Sequence, residues 1–284
     1  MRKIFDFHLH VGHFHEWSEE ARRLWMETGP YSGKIYAEDG CLDIDAFHQV
    51  LQGEGVVGGV LLPEYALHTA GVMPVERAIA VSQRYPQYIP FGALNPEIHL
   101  DPVAEFERQL ALGVKGLKIH GVHCQHHVND PRLYPVYEIC QERNLPLMLH
   151  AGTSVFPGVR LRHADPYDFD DVAVDFPALS LILCHGGRNF WYPQAEFMVM
   201  RHENVYIDLS GLPPQNLLRY YPKLAKLSQR FLFGTDFPGV PGVAANAEKI
   251  AALDLSEEVL ENIFINNARR LLPGFNHNVS VLSG

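Results

Sequence analysis

Eight short apolar runs alternate with amphipathic segments along this chain, and that alternation constrains its fold more than any other feature. The runs cover residues 4–10, 56–63, 89–94, 114–120, 145–150, 179–185, 205–210 and 231–236. Several are apolar on both faces, as parallel strands are when helices cover each side. The segments between them carry helix punctuation. Asp101-Pro102 opens a helix over 103–112 and Gly113 closes it, with an acidic cap, a proline at the first helical position and a glycine past the end. Asp130-Pro131 and Asp165-Pro166 repeat the opening, and Ser256 caps a helix over 257–272 that stops at Pro273-Gly274. Strand and helix in alternation dictate an α/β class with a parallel sheet. Eight units within about 270 residues favour a closed, single-domain (β/α)8 TIM barrel over an open doubly wound sheet. The barrel is expected over residues 1–274, with a loop insertion at 12–42 and a polar tail at 275–284.

Composition narrows the partners. Of 284 residues, 47% are hydrophobic and 20% charged, enough for a large core. The formal net charge of -10 leaves no basic field for a nucleic-acid backbone, so a small-molecule substrate is expected. Cys41, Cys124, Cys140 and Cys184 are scattered without C-x-x-C spacing and read as reduced thiols of a cytoplasmic protein. The N-terminus turns polar before an apolar stretch can form, so no signal peptide is expected, and no apolar run reaches the ~18 residues of a membrane span. A homodimer is compatible with this architecture.

The histidines carry the chemistry. There are 16 of them against 23 Lys+Arg, and they gather where the apolar runs end. Run one ends in His8-Leu9-His10, run four in Lys118-Ile119-His120, run five in His150, run six in His185 and run eight in Asp236. Barrel enzymes carry their catalytic groups at these C-terminal strand ends. Side chains alternate along a strand, so His8 and His10 share a face and are able to meet one cation together. Alone, such a pair is equally a buried, hydrogen-bonded pair; the other strand-end residues favour a metal.

The segments Asp6-Phe7-His8-Leu9-His10, Gly116-Leu117-Lys118-Ile119-His120, His150-Ala151-Gly152, His185-Gly186-Gly187, Gly234-Thr235-Asp236-Phe237-Pro238 and Asn267-Ala268-Arg269-Arg270-Leu271 resemble, in this order, the amidohydrolase superfamily. They are most similar to its amidohydrolase-2 branch, which holds aminocarboxymuconate-semialdehyde decarboxylase, resorcylate-type decarboxylases and several lactonases. The resemblance implies a distorted barrel with one divalent metal ion, Zn2+ in the first place and Mn2+ in the second. It implies His8, His10, His150 and Asp236 as ligands, Asp236 also accepting a proton, and His185 beside them as an acid/base group. Three imidazoles and one carboxylate leave a positive centre with an open position.

Other residues keep two readings. Lys118 either faces substrate or is carboxylated and bridges two metals; His120 either faces substrate or is an ordinary strand-end residue. Arg188 either grips a substrate carboxylate or forms a surface salt bridge. Asp208 and Ser210 read as support behind the ligands. His123, His126 and His127 read as mostly solvated. Trp17, Trp25, Tyr31 and Tyr36 of the insertion either form a lid or pack the loop down. The expected activity is metal-dependent hydrolysis of an ester, lactone or amide of a small organic acid. Non-oxidative decarboxylation is the alternative. Phosphoester cleavage fits less well, because Lys118 stands where that branch has a glutamate. A non-catalytic scaffold is disfavoured because every expected ligand position is filled.

Overall fold

A computed structural model describes residues 2–272. Strand one is Ile4–His10, strand two Val56–Leu62, and strand three comes in two pieces, Tyr88–Pro90 and Gly92–Leu94. Strand four is Leu117–Ile119, five Leu147–Gly152, six Leu181–Arg188, seven Val205–Asp208 and eight Phe231–Leu232. Each pairs in parallel with the next. Strand eight returns to strand one through backbone bonds: Phe7 N–H donates to Phe233 O (2.8 Å), Asp236 N–H to His8 O (3.0 Å) and His10 N–H to Phe237 O (2.8 Å). The expected α/β barrel is therefore present.

The barrel is distorted at two places. Strand three breaks at Phe91, where the first piece pairs with strand two and the second with strand four. Pro90 O accepts from Lys115 N–H (2.8 Å) toward strand four, while Phe91 N–H still reaches back to Leu61 O (3.0 Å) on strand two, and the ladder shifts sides there. Strand eight was expected through residue 236 but ends at Leu232, where Phe233 N–H turns to Ile263 O (3.0 Å), and Asp236 further on is left-handed (φ 73°).

Core packing follows the strand alternation. Leu147 and Leu149 of strand five, and Leu181 and Leu183 of strand six, belong to the layer beneath the helices. Met148, Ile182 and Cys184 pack inside the barrel with Phe5, Phe7, Val60 and Phe91. The same parity sends His150 inward. His185 is out of phase with Ile182 and Cys184, and a left-handed turn at His185 (φ 63°) breaks the alternation there.

Most caps work as read. Asp101 accepts from Ala104 N–H with Gly113 left-handed at the helix end (φ 108°), Asp165 accepts from Tyr167 N–H, and Ser256 from Val259 N–H. Asp130 does not cap. Its carboxylate binds Arg132 through both backbone and guanidinium, and the helix starts later, at Tyr134–Glu142. The segment read as one helix over 257–272 is α-helical at Glu257–Glu261, a π-turn at Asn262–Asn266 and α-helical again at Asn267–Leu271. The π-turn lies between Asn262 and Asn267, whose amides both reach the chain before strand eight. Asn267 Nδ2 donates to Ser228 O (2.7 Å) and Phe231 O (2.6 Å).

The insertion at 12–42 folds into short helices, among them Glu19–Thr28 and Ser32–Ile35. Its aromatics divide between the two roles. Tyr31 is fully buried against Phe237 and accepts Val243 N–H (2.9 Å), so it packs the insertion down. Trp17 donates to Tyr36 Oη (3.1 Å) and presents its ring toward the cavity described below. The Trp25 side chain and the tail 275–284 lie outside the described residues. The four cysteines form no disulfide, and among the described residues no helix is long and apolar enough to cross a membrane.

Replacing Asn267 with Ala removes the donor to both carbonyls that lead into strand eight. We expect a loss of about 2–3 kcal/mol in urea unfolding; a loss below about 0.5 kcal/mol would mean those carbonyls are satisfied without it.

Candidate metal centre and active site

Five strand ends and the loops behind them line a cavity of about 520 Å³ at the C-terminal mouth of the barrel. His10, His120, His150, His185, Arg188 and Asp236 line it, so six of the sequence candidates share one wall. His8 lies just beneath, fully buried. Lys118 does not reach the cavity: it is 1% exposed inside the barrel, and its Nζ has no hydrogen-bond partner.

The barrel closure builds the first half of the site. His8 Nε2, His10 Nε2 and Asp236 Oδ1 stand 3.2 Å, 3.2 Å and 3.5 Å apart. Ligands of a tetrahedral ion with bonds of about 2.0–2.1 Å are separated by about 3.3–3.4 Å, so the three atoms already have that spacing. Burial alone would raise the Asp236 carboxyl; a hydrogen bond from His10 and the nearby His185, His8 and His10 hold it well below the usual range. Burial, with Lys118 adding to it, lowers His8 to about 4, so the imidazole is neutral at pH 7.

Behind these atoms the hydrogen bonds fix the tautomers. His8 Nδ1 meets Asp208 Oδ2 at 2.6 Å and Ser210 Oγ at 2.9 Å. Asp208 is an acceptor, so the proton sits on Nδ1 and His8 Nε2 carries the lone pair. Asp208 and Ser210 are thus the support the sequence suggested. His185 Nδ1 donates to Ser210 O (3.0 Å), which leaves Nε2 as an acceptor. Ring nitrogens of His8 and His185 lie within 4.8 Å of each other and of an Asp236 oxygen. His185 is held neutral, well below its ordinary value, first by burial and then by Arg188.

The second half was only partly legible. His150 Nε2 is buried without a partner, while its Nδ1 meets His120 Nε2 at 2.8 Å. A ring nitrogen of His150 groups within 4.8 Å with those of His120 and His123. His120 Nδ1 in turn meets Glu64 Oε1 at 2.6 Å. Burial pushes the Glu64 carboxyl up to about 8, against the pull of Lys118. Sequence reasoning missed Glu64, because it follows strand two without any strand-end histidine to mark it. The expectation that His123 and His126 are solvated is also corrected. Both are buried, because the chain after strand four winds into the helical turn Gly121–Cys124, where His123 Nδ1 bonds Thr69 Oγ1 (2.7 Å). His127 alone of the three is well exposed, and it pairs with Asp168.

Among the described residues Arg188 has no ion-pair partner. Its Nε and Nη2 donate to Thr153 O (3.2 and 3.0 Å), and Nη1 points toward Gly211 O. Gly211 has φ 65°, and a Cβ there would collide with Arg188 Nη1 and crowd His185 Nδ1 and Asp236 Oδ2. The space that a side chain would fill is therefore left open between a guanidinium, an imidazole and a carboxylate.

A family model described as amidohydrolase, of the amidohydrolase-2 type, matches residues 5–274. The chain belongs to the amidohydrolase-2 family. A 2-keto-4-carboxy-3-hexenedioate hydratase of Sphingobium is 27% identical over 215 residues, a match spanning 63% of this chain and 63% of that protein. A TIM-barrel protein from Bordetella bronchiseptica superposes with a TM-score of 0.79 at 23% identity, over 95% of this chain and 98% of that one. A 2,6-dihydroxybenzoate decarboxylase from Rhizobium superposes with a TM-score of 0.67 at 19% identity, over 98% and 100%. This amidohydrolase-2 chain is thus an enzyme, and the proteins it is similar to differ in reaction.

Gly211→Ala tests the cradle. A non-glycine residue in this conformation costs roughly 1–2 kcal/mol, so the melting temperature should fall while metal content per chain stays at the wild-type level. Metal lost along with stability would place Gly211 in the support of the ligands rather than beside the open space.

Proposed function

We propose that the chain is a metal-dependent hydrolase that adds water to an ester or lactone carbonyl of a small carboxylate-bearing substrate. The ligands in this reading are His8, His10, His150 and Asp236, with Zn2+ as the ion and Mn2+ as its substitute. The supporting observation is the 3.2–3.5 Å triangle of His8 Nε2, His10 Nε2 and Asp236 Oδ1, backed by a buried, unpartnered His150 Nε2. A cation bound there lowers the pKa of a water from 15.7 to about 7.

The chain's own residues divide the remaining work. Asp236 Oδ2 faces the open space beside Gly211, accepts the proton that leaves the attacking water and returns it to the leaving oxygen as the ester C–O bond breaks. His185 offers an acceptor at Nε2, because Ser210 O holds its proton on Nδ1. It is therefore a proton acceptor in the resting state, and it donates only after it has taken one up. Arg188 Nη1 is the donor for a carboxylate or for negative charge developing on the carbonyl oxygen. Trp17 and Leu24 supply an apolar wall for the substrate's carbon skeleton. Lys118, away from the cavity, is not assigned to substrate in this reading, whereas His120 is a wall residue.

A second reading is favoured by the Sphingobium hydratase, the relative with 27% identity. Water would then add across a carbon–carbon double bond of an unsaturated acid, with the same residues taking the water's proton. Decarboxylation uses the same wall differently, the carboxylate lying where Arg188 and His185 face the cavity and the proton going to carbon.

Metal analysis comes first, on wild type and Asp236→Ala purified without added metal. One divalent ion per wild-type chain, lost in the variant, is expected; no metal even after reconstitution would sink the reading. Lactones, esters, unsaturated acids and carboxylated aromatics then separate the reactions by product: ring opening, hydration or CO2 release. His185→Asn should keep its metal and lose turnover by about 10²-fold or more, and a near-normal rate would remove it from the mechanism.

A further inference from the structure

We propose that Glu64 is a positioning residue which fixes, through His120, the tautomer in which His150 presents an Nε2 lone pair to a divalent cation. The inference rests on the reading above that His150 Nε2 is a ligand. Its geometry is a chain of three buried groups. Glu64 Oε1 and Oε2 lie 2.6 and 2.5 Å from His120 Nδ1, and His120 Nε2 lies 2.8 Å from His150 Nδ1. Glu64, His120 and His150 are 2%, 8% and 2% exposed, so the chain of contacts runs through the protein and not over its surface.

Two short contacts in series leave only two proton arrangements for neutral rings. With Glu64 as carboxylate, the form that a cation on His150 Nε2 would draw out by releasing the proton that burial favours, His120 donates from Nδ1 and accepts at Nε2. His150 must then donate from Nδ1, and its Nε2 is a lone pair. With Glu64 protonated the chain holds one proton more: Glu64 donates to His120 Nδ1, His120 Nε2 donates to His150 Nδ1, and His150 Nε2 carries a hydrogen that a cation displaces only if the chain releases that proton. The acceptor at the far end thus decides what His150 shows the cavity. His8 is backed directly by Asp208 on strand seven. His150 has no carboxylate within reach of its Nδ1, and the imidazole of strand four's end fills the gap to Glu64.

The surroundings hold Glu64 in place. It opens a two-stranded hairpin, Glu64–Ala66 with Gly71–Met73, that follows strand two. Asn95 Nδ2 (2.8 Å) and Cys124 Sγ (3.4 Å) both donate to Tyr65 O, which ties the hairpin to the ends of strands three and four. The coupled residues are 56 and 30 positions apart in the chain, so the arrangement exists only in the folded barrel.

The test uses the full chain, stripped of metal, and titrates Zn2+ against a chelating chromophore. Glu64→Leu should bind zinc about 10–100-fold more weakly than wild type. Glu64→Gln, which keeps an acceptor oxygen, should fall between the two, and the melting temperature of the metal-free proteins should not follow the same order. Nitrogen-15 NMR of histidine-labelled, zinc-loaded wild type should show His120 protonated at Nδ1, with a low-field proton that disappears in Glu64→Leu. Equal zinc affinity in Glu64→Leu and wild type would overturn the inference. So would a wild-type His120 protonated at Nε2, which can be read even if the Leu variant does not fold. Wild type that binds no zinc at all would instead sink the metal reading beneath it.

Discussion

The contact between the first and last strands is the constraint on which the rest of this structure depends. Asp6 lies fully buried across that seam, accepting from Thr235 Oγ1 (2.6 Å), Thr235 N–H (3.1 Å) and His8 N–H (3.0 Å). Together with the backbone bonds of Phe7, His10 and Asp236, it locks residues more than two hundred positions apart into one register. A slip of one residue would turn the facing side chains to opposite sides. The triangle of His8, His10 and Asp236 atoms exists because this register is unique. Closure of the barrel and assembly of the candidate metal centre are one event.

Around that seam the protein keeps many imidazoles neutral rather than charged. Burial lowers His8, His120, His123, His150 and His185, and in several of them their neighbours' positive character lowers them further. Neutral rings packed this closely must each resolve which nitrogen carries the proton. The acceptors that resolve it sit one layer out: Asp208 for His8, Ser210 O for His185, Glu64 for His120. Without such acceptors the rings would remain a buried cluster of undetermined tautomers, poorly suited to holding a cation at defined positions. Asp236 is the exception, a carboxylate held low at the cavity edge, and it supplies the negative charge that a divalent ion requires.

The sequence showed the fold clearly and the site by halves, for a physical reason. Strand ends in a parallel barrel are marked by where apolar runs stop, so His8, His10, His150, His185 and Asp236 could be found by position alone. Asp208 and Ser210 share a strand end with the right parity and were legible too. Glu64 and His123 were not, because the hairpin after strand two and the turn after strand four have no periodicity to announce that their side chains fold back inward. Lys118 has the inward parity too, yet it is fully buried and is not among the residues that line the cavity. Strand alternation gives direction and says little about depth. Asp130 shows a similar limit, since a nearby Arg132 outcompetes the helix end for its carboxylate.

The two halves of the site also differ in what can change without undoing the fold. His8, His10, His150 and Asp236 come from strands whose pairing is the barrel itself, so their relative positions are inherited with the architecture. The opposing wall comes from the insertion that carries Trp17, the turn of His123, the Thr153 loop and the chain around Gly211, all of them connections that pack onto the barrel without closing it. Arg188 belongs to both, rooted at the end of strand six yet oriented by the carbonyls of Thr153 and Gly211. A shift in either loop re-aims its guanidinium while the ligands stay put. In the reading proposed above, the same strand-borne centre is compatible with different substrates and different fates for the proton. In that reading the substrate's charge meets Arg188, a donor rooted in the barrel and aimed by the loops around it.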